Sequence, residues 1–192
     1  AFPGIALIHH VGDEPPTSAV PDELREALAP PDRSLRLGWV WTASGSATIA
    51  APPGDYSVDV GHSARHERSG PIAVTVPEGG TGQVEVVLAE VVARDGWFSV
   101  DPHLHAAPSM DGRAAMEDRL IACAAAGLDV PVTTDHDRFA DYGPLASAMG
   151  LNGRLLVIPG TEVTTLLRGH FNLFPVDVAA REVRNRGAVV WW

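Results

Sequence analysis

Asp101-Pro102-His103-Leu104-His105 is the stretch from which the rest of the sequence can be interpreted. Successive side chains of a β-strand point to opposite faces, so His103 and His105 project from the same face with their imidazoles close together. Imidazole binds zinc, iron and other first-row ions, and added carboxylates allow a site that holds more than one divalent ion. The stretch therefore predicts a strand that presents two metal ligands.

Three later polar clusters extend this prediction: Thr134–Asp137, Pro159–Glu162 and Gly169–Asn172. Each lies at or just after the end of a short apolar run, and the runs belong to an alternating pattern of strands and helices. In barrels of that architecture the C-terminal ends of the strands converge on one rim. An isolated His-x-His is more often an exposed or hydrogen-bonded pair, but four such clusters on one rim favour a metal site.

Length, composition and charge limit the classes of partner. With 192 residues, 45% of them hydrophobic, the chain can bury the core of one large or two small domains. The 14 basic and 24 acidic residues give a net charge of −10 and leave no basic stripe, so we expect a small-molecule substrate and no nucleic acid. No stretch approaches the roughly 20 apolar residues of a membrane span, so no membrane partner is expected either.

The single cysteine, Cys123, excludes an internal disulfide. Its place in an Ala-rich segment predicts a small buried hydrophobe rather than a nucleophile. The redox compartment therefore stays open. A chain that begins at Ala1 fits a mature extracytoplasmic product, an excised domain or part of a longer protein.

The N-terminal half divides into two regions. Residues 1–34 are a segment of uncertain structure, interrupted by proline pairs, with a short strand at Ile5–Ile8 and a short helix at Asp22–Leu28. Residues 35–92 have a period-two pattern that predicts a small antiparallel β-sandwich. The predicted strands are Leu35–Thr42, Ser46–Ala50, Asp55–Val60, Pro71–Val76 and Gln83–Val92.

Residues 96–192 alternate between strand and helix patterns, which predicts a parallel sheet or barrel. We expect strands at Trp97–His105, Leu128–Thr134, Arg154–Val163, Leu166–Pro175 and Gly187–Trp192, and helices at Arg113–Ala126, Asp141–Met149 and Asp177–Arg186. Three or four such units cannot close a barrel of seven or eight strands, and the last apolar strand would leave an exposed edge. We therefore expect a C-terminally incomplete domain, whose edge is covered by the remainder of the barrel or by an oligomer partner.

At these motifs the chain resembles the polymerase-and-histidinol-phosphatase (PHP) superfamily of metal-dependent hydrolases. The family's Asp-x-His-x-His strand corresponds to Asp101–His105, its Ser-x-Asp-Gly-like turn to Ser109–Gly112, its Thr-Asp-His to Thr134–His136 and its Gly-x-Glu to Gly160–Glu162. A β-sandwich resembling a carboxypeptidase regulatory domain, with Gly-Trp-Phe-Ser at 96–99 and Gly-His-Phe-Asn at 169–172, is similar to the carbaryl hydrolase (CehA/McbA-like) branch. The resemblance covers residues 36–192. It implies a fold that is α/β and all-β: a small sandwich followed by the first half of a distorted (β/α)7 TIM-like barrel.

The resemblance also implies a site. It implies a centre of two or three divalent ions, which would be zinc, manganese or iron. Glu162 would be the carboxylate that bridges two of them. The implied ligands are His103, His105, Asp111, His136, Glu162 and His170. Glu162, Asp135 and His136 are the expected catalytic residues. Asp101 and Asp135 would orient imidazoles by accepting their other N–H. Asn172 would do likewise or touch substrate, and Arg113 and Arg168 are candidate contacts for an anion. An alternative role for Asp111 is that of N-cap to the helix that follows it.

The implied activity is hydrolysis by a metal-bound hydroxide, because a divalent ion lowers the pKa of its water from about 15.7 toward roughly 7. A phosphoester is the first expected substrate. A carbamate or amide ester is the alternative, since the same hydroxide can attack a carbonyl carbon. A non-catalytic, metal-stabilised binding module is the second alternative.

Overall fold

The computed structural model describes residues 4–11, 35–165 and 167–178. The chain divides into two compact units, Ala1–Arg94 and Asp95–Trp192. The helix expected at Asp22–Leu28 and the strand expected at Gly187–Trp192 lie outside the described residues, as does nearly all of the helix expected at Asp177–Arg186.

The first unit contains an antiparallel sheet of four strands in the order β2-β1-β3-β4. Side chains of β3 alternate across the sheet, and Tyr56 and Val58 on one face are 2% and 9% exposed. This alternation confirms the period-two pattern expected for that strand. The strands are β1 (Gly4–Val11), β2 (Leu35–Thr42), β3 (Gly54–Gly61) and β4 (Ile72–Val76).

Two of the strands expected for the sandwich do not form, and no second sheet exists among the described residues of this unit. The chain bends at residues 43–45, where the Thr42 hydroxyl donates to the Ser46 carbonyl oxygen (2.8 Å) and accepts from the Gly45 N–H (3.1 Å), and residues 46–50 form no strand. From Gln83 to Leu88 the side chains alternate in burial, and Val84 packs against Tyr56 and Val58, but this extended segment has no strand ladder. A period-two pattern reports which side chains turn inward, not whether a neighbouring strand lies within hydrogen-bond reach.

The second unit opens with a three-stranded parallel sheet in the order β5-β6-β7. Helix α1 (Met116–Ala125) connects β5 to β6, and helix α2 (Gly143–Ala148) connects β6 to β7. The core of the unit is formed by Leu104, Leu120, Val132, Tyr142 and Leu155, all at most 6% exposed. The strands are β5 (Val100–Leu104), β6 (Val130–Thr133) and β7 (Ile158–Pro159).

The expected strand Arg154–Val163 is interrupted at Gly160. After it come β8 (Thr161–Thr165) and β9 (Gly169–Leu173), which pair antiparallel as a hairpin, contrary to the parallel arrangement expected. Only three residues separate β8 from β9, whereas a parallel crossover needs about a dozen or more. The described residues thus form a mixed α/β structure of several small sheets and few helices, with no closed barrel among them.

Helix α1 begins later than expected. Its first residue is Met116 and its N-cap is Ala115, so the N-cap role considered for Asp111 is wrong. Leu120 and Cys123 are buried on one side of this helix, which confirms the buried position expected for the cysteine. Across the described part of the chain, no helix is both long and apolar enough to cross a bilayer.

Candidate metal centre

Strand β5 contains His103, and His105 directly follows its last residue, Leu104. Leu104 is buried between them, donates its N–H to the Thr134 hydroxyl (3.0 Å) and accepts the Thr134 N–H at its carbonyl oxygen (2.8 Å). Because alternate side chains share a face, His103 and His105 both turn away from this buried contact. Their Nε2 atoms lie 3.0 Å apart.

Strand β8 brings a carboxylate to the same place. The Glu162 N–H donates to the Asp135 carbonyl oxygen (3.3 Å), and the Asp137 N–H donates to the Glu162 carbonyl oxygen (2.9 Å). These two bonds fasten β8 to the loop that follows β6. His136 and Glu162 therefore face each other across a single bridge between the two segments.

The first group of donor atoms is close to an equilateral triangle. Oε2 of Glu162 lies 3.0 Å from Nε2 of His103 and 2.9 Å from Nε2 of His105, and the two nitrogens are 3.0 Å apart. Metal–ligand bonds of about 2.0–2.1 Å place neighbouring ligands about 2.9–3.4 Å apart in octahedral or tetrahedral geometry. The triangle therefore has the size of one face of a coordination polyhedron.

The second group contains His105, Asp111 and His136. Asp111 lies 3.0 Å from Nδ1 of His105 and 3.5 Å from Nε2 of His136. The buried Ser109 hydroxyl donates to Oδ1 of Asp111 (2.6 Å) and accepts the His136 backbone N–H (3.1 Å). Ser109 thus connects the carboxylate to the histidine loop.

Hydrogen bonds from Ser109, and then from His105, lower the pKa of Asp111 to about 2. Asp111 is therefore an ionised carboxylate at neutral pH and can only accept hydrogen bonds or bind a cation. It follows that His105 donates from Nδ1 to Asp111. The Nε2 lone pair of His105 is then directed toward His103 and Glu162, which is the usual relation between a carboxylate, a histidine and a bound metal.

The third group contains His136, Glu162 and His170. Nδ1 of His136 lies 3.4 Å from Oε2 of Glu162, and the ring of His170 has its centroid 4.9 Å from that of His136. In the β8–β9 hairpin Glu162 is opposite Asn172, and Thr164 is opposite His170. The structure therefore brings together all six residues expected as ligands: His103, His105, Asp111, His136, Glu162 and His170.

The three groups share histidines, and this limits how they can be used. A neutral imidazole has one nitrogen with a free lone pair, so it cannot bind two ions at once. His105 faces the first group with Nε2 and Asp111 with Nδ1, while His136 faces Asp111 with Nε2 and Glu162 with Nδ1. Neutral imidazoles therefore cannot complete all three groups together.

The two aspartates expected to orient imidazoles make other contacts. Asp101 accepts the backbone N–H of His103 (3.1 Å). Asp135 is 1% exposed and accepts from the Ala106 N–H (2.9 Å) at one oxygen and from the Tyr142 hydroxyl (2.8 Å) at the other. Asp135 therefore holds the two segments that carry the histidines and does not contact an imidazole within the described chain.

The remaining expected residues lie at the margin of the centre. Asn172 is exposed and sits on β9 opposite Glu162. Arg113 and Arg168 are exposed, and neither side chain contacts a donor residue in the part of the chain that the structure describes. Their expected role as anion contacts gains no support from their position.

Sequence reasoning gave no role to three residues of the centre: Ser109, Thr164 and Tyr142. Thr164 carries a detectable signal, because it lies two residues after Glu162 on a strand and so shares its face. Ser109 stood in a recognised turn motif without an assigned partner. Tyr142 has no signal in the sequence, because its contact with Asp135 depends on how α2 packs.

No protein-family model, curated protein or solved structure matches the chain.

Proposed function

We propose that this protein is a metal-dependent hydrolase that acts on phosphoesters. The observation that carries the proposal is the triangle of His103 Nε2, His105 Nε2 and Glu162 Oε2, with sides of 2.9–3.0 Å. Two imidazoles and one carboxylate are a donor set that zinc, manganese and iron accept, and catalytic sites keep a further position for water. We further propose that the second unit is the opening part of a PHP-type barrel and that the sheet β2-β1-β3-β4 of the first unit is one layer of a β-sandwich.

The donor residues differ in exposure in a way that suits catalysis. The Glu162 side chain is 6% exposed and would hold an ion from the buried side, whereas His103 is 50% exposed and borders solvent. A bound divalent ion would supply a water of lowered pKa and a positive charge for the substrate oxygen. Asp135 acts through the backbone of the histidine segments, so it is a positioning residue rather than a catalytic one.

A phosphoester is favoured because the donor groups adjoin one another. The ring centroids run from His103 to His105, His136 and His170 in steps of 4.8, 4.8 and 4.9 Å, so two ions bound along this row would be neighbours. Paired ions some 3.5–4 Å apart clamp the attacking and leaving oxygens of a phosphoryl group. The bound ions themselves would meet the negative charge of the substrate.

The test combines metal content with turnover on the full chain. Elemental analysis after loading with zinc or manganese should give at least one ion per chain, and 4-nitrophenyl phosphate should be hydrolysed. His103→Ala and Glu162→Gln should each lose at least one ion and most of the activity, whereas His62→Ala, a histidine of the first unit, should change neither.

Each contrary result has a definite meaning. Hydrolysis of 4-nitrophenyl N-methylcarbamate without hydrolysis of the phosphate would overturn the substrate class in favour of the carbamate or amide alternative. Bound metal without turnover of either substrate would overturn hydrolysis in favour of a metal-stabilised binding module. Absence of bound metal would overturn the proposal as a whole.

A further inference from the structure

The first unit contains a cavity of about 1070 Å³ between its sheet and two chain segments, residues 46–51 and residues 83–88. We call residues 83–88 the facing segment. The volume is at the upper end of the range for ligand pockets, roughly 300–1,000 Å³. We infer that this cavity binds an elongated, uncharged amphiphile, whose apolar body lies along β3 and whose hydrogen-bonding end group lies at His62 and His66. The inference concerns the first unit alone and does not depend on the proposed function.

The walls of the cavity are mostly aliphatic. Strands β3 and β4 supply one wall, to which Val58 and Val74 belong. In the facing segment, the half-buried side chains of Val84, Val86 and Leu88 alternate with exposed neighbours. Because a period-two alternation places every second side chain on one side of an extended chain, these three residues form the opposite wall. Walls of this kind favour an apolar occupant, since contact with it removes apolar surface from water.

The two ends of the cavity differ. At one end the chain that leads into the facing segment touches the sheet: a Cβ added at Gly82 would fall 2.8 Å from a methyl group of Val74, and Val84 packs against Tyr56. At the other end lies His62, which also lines the cavity. Six residues of extended chain separate Tyr56 from His62, which corresponds to roughly 20 Å. This length suits an elongated molecule better than a compact one.

Two imidazoles provide hydrogen-bonding groups at the second end. The ring centroids of His62 and His66 lie 4.8 Å apart, and both residues line the cavity. Nδ1 of His66 lies 2.8 Å from the Ser63 hydroxyl oxygen, so Nε2 is the nitrogen of this ring that can meet an end group. In a neutral imidazole that nitrogen either donates or accepts, depending on the tautomer. A hydroxyl group can do both and therefore matches either tautomer.

The charges around the cavity favour an uncharged end group. Within the described part of the chain, no lysine or arginine lines the cavity. Arg65, which lies between the two histidines in the sequence, is paired with Glu90 at 2.8 Å. The acidic residue of the lining, Glu85, is exposed, and the whole chain has a net charge of −10. An ionised group that leaves water without a partner is costly, so a carboxylate should be disfavoured here.

The experiment titrates the metal-free full chain with straight-chain alcohols and follows the methyl NMR signals of Val58 and Val74. Decan-1-ol should shift both signals, whereas the methyl signals of Val132 in the second unit should not move. Each methylene removed from the alcohol should weaken binding by about fourfold, the value expected for burial of one CH₂ group. Decanoate, which is ionised at pH 8, should bind at least about 10-fold more weakly than decan-1-ol.

Three variants locate the bound alcohol. Val86→Phe should fill part of the cavity and weaken the binding of decan-1-ol by about 10-fold or more, because the body of the ligand loses its space. Val86 is half-buried, so the larger side chain has room without displacing the core. Val91→Phe is the matched control, since Val91 is 56% exposed and does not line the cavity, and it should change nothing. His66→Ala should weaken decan-1-ol by about 2–10-fold but leave the fourfold step per methylene unchanged.

Several results would contradict the inference. Signals of Val58 and Val74 that do not shift with decan-1-ol would overturn it in favour of a cavity filled by protein, from this chain or from a second copy. Equal affinity of the Val86→Phe and Val91→Phe variants would show that the alcohol binds elsewhere. Tighter binding of decanoate than of decan-1-ol would overturn the uncharged end group. Metal content and phosphoester turnover should be the same in Val86→Phe and the unsubstituted chain, so each of these failures would leave the proposed function standing.

Discussion

The hydroxyl of Tyr142 donates a 2.8 Å hydrogen bond to Oδ2 of Asp135, and the two residues are 0% and 1% exposed. The other oxygen of Asp135 accepts the Ala106 N–H, one residue after His105. One buried carboxylate thus connects helix α2, strand β6 and the histidine strand. Burial, together with the Asp135 carboxylate, raises the pKa of Tyr142, so its hydroxyl remains a donor across the range in which the protein would be studied.

Tyr142→Phe should destabilise the second unit by about 1.5–3 kcal/mol, because it removes a hydrogen bond to a buried acidic group and leaves one oxygen without a partner. The measurement is urea unfolding followed by the amide signal of Val132. Tyr56→Phe is the matched control, since Tyr56 donates to the neutral Pro52 carbonyl oxygen (2.6 Å), and it should cost about 0.5–1.5 kcal/mol by the signal of Val58. Equal costs for the two substitutions would contradict the importance given to Asp135.

Gly112→Ala should displace the turn that carries Asp111. A Cβ at this position would overlap the backbone carbonyl of Ala106, and main-chain atoms cannot move aside as a flexible side chain can. We expect a cost of about 1–3 kcal/mol or more in unfolding free energy and weaker binding of an ion by the group of His105, Asp111 and His136. Gly153→Ala is the control, because nothing lies within 4 Å of the added carbon there. If Gly112→Ala were as stable as Gly153→Ala, the close packing of this turn on Ala106 would be wrong.

Cys123 should resist thiol reagents in the folded protein. The residue is 5% exposed, and burial raises the pKa of its thiol to about 11, so roughly one molecule in a thousand carries the reactive thiolate at pH 8. Maleimide labelling at pH 8 should be slow in buffer and fast in urea. The Cys123 thiol loses its proton near pH 9 in the unfolded chain but only near pH 11 in the folded protein. Its contribution to the free energy of unfolding is therefore complete below pH 9 and is lost as the pH rises through about 11. Rapid labelling without urea would refute the buried position.

The parts of the centre that sequence reasoning predicted are those governed by strand periodicity. His103 and His105 share a face because they are two residues apart on a strand, and Leu104 between them is buried for the same reason. The convergence of Glu162 and His136 followed from each lying after the C-terminal end of a strand in a parallel sheet. These are local rules that hold wherever the strand forms.

The parts that sequence reasoning missed depend on contacts between distant segments. The antiparallel hairpin of β8 and β9 was not predicted, because the alternation of strands and helices in this half of the chain favoured a parallel sheet. Asp135 was assigned to an imidazole because the groups that donate to it, the Ala106 N–H and the Tyr142 hydroxyl, come from segments 29 residues before and 7 residues after it. The Thr42 hydroxyl bonds to backbone groups of the bend at residues 43–45, and the strand expected directly after it, Ser46–Ala50, does not form.

Metal binding should protect one unit selectively. All the donor residues belong to the second unit, and an ion held by His103, His105 and Glu162 connects β5 to β8. At a free concentration 100 times its dissociation constant, an ion that binds only the folded state adds about 2.7 kcal/mol to the free energy of unfolding of that unit. Amides that exchange only when the unit opens should then exchange roughly 100-fold more slowly. Hydrogen exchange should therefore slow at the amides of Leu104 and Glu162 when Zn²⁺ is added and should recover with EDTA.

Amides of β3 in the first unit should change much less, and His103→Ala should abolish the zinc effect while leaving exchange in β3 as it was. Equal slowing in both units, or slowing that survives His103→Ala, would show that the ion acts through some other group.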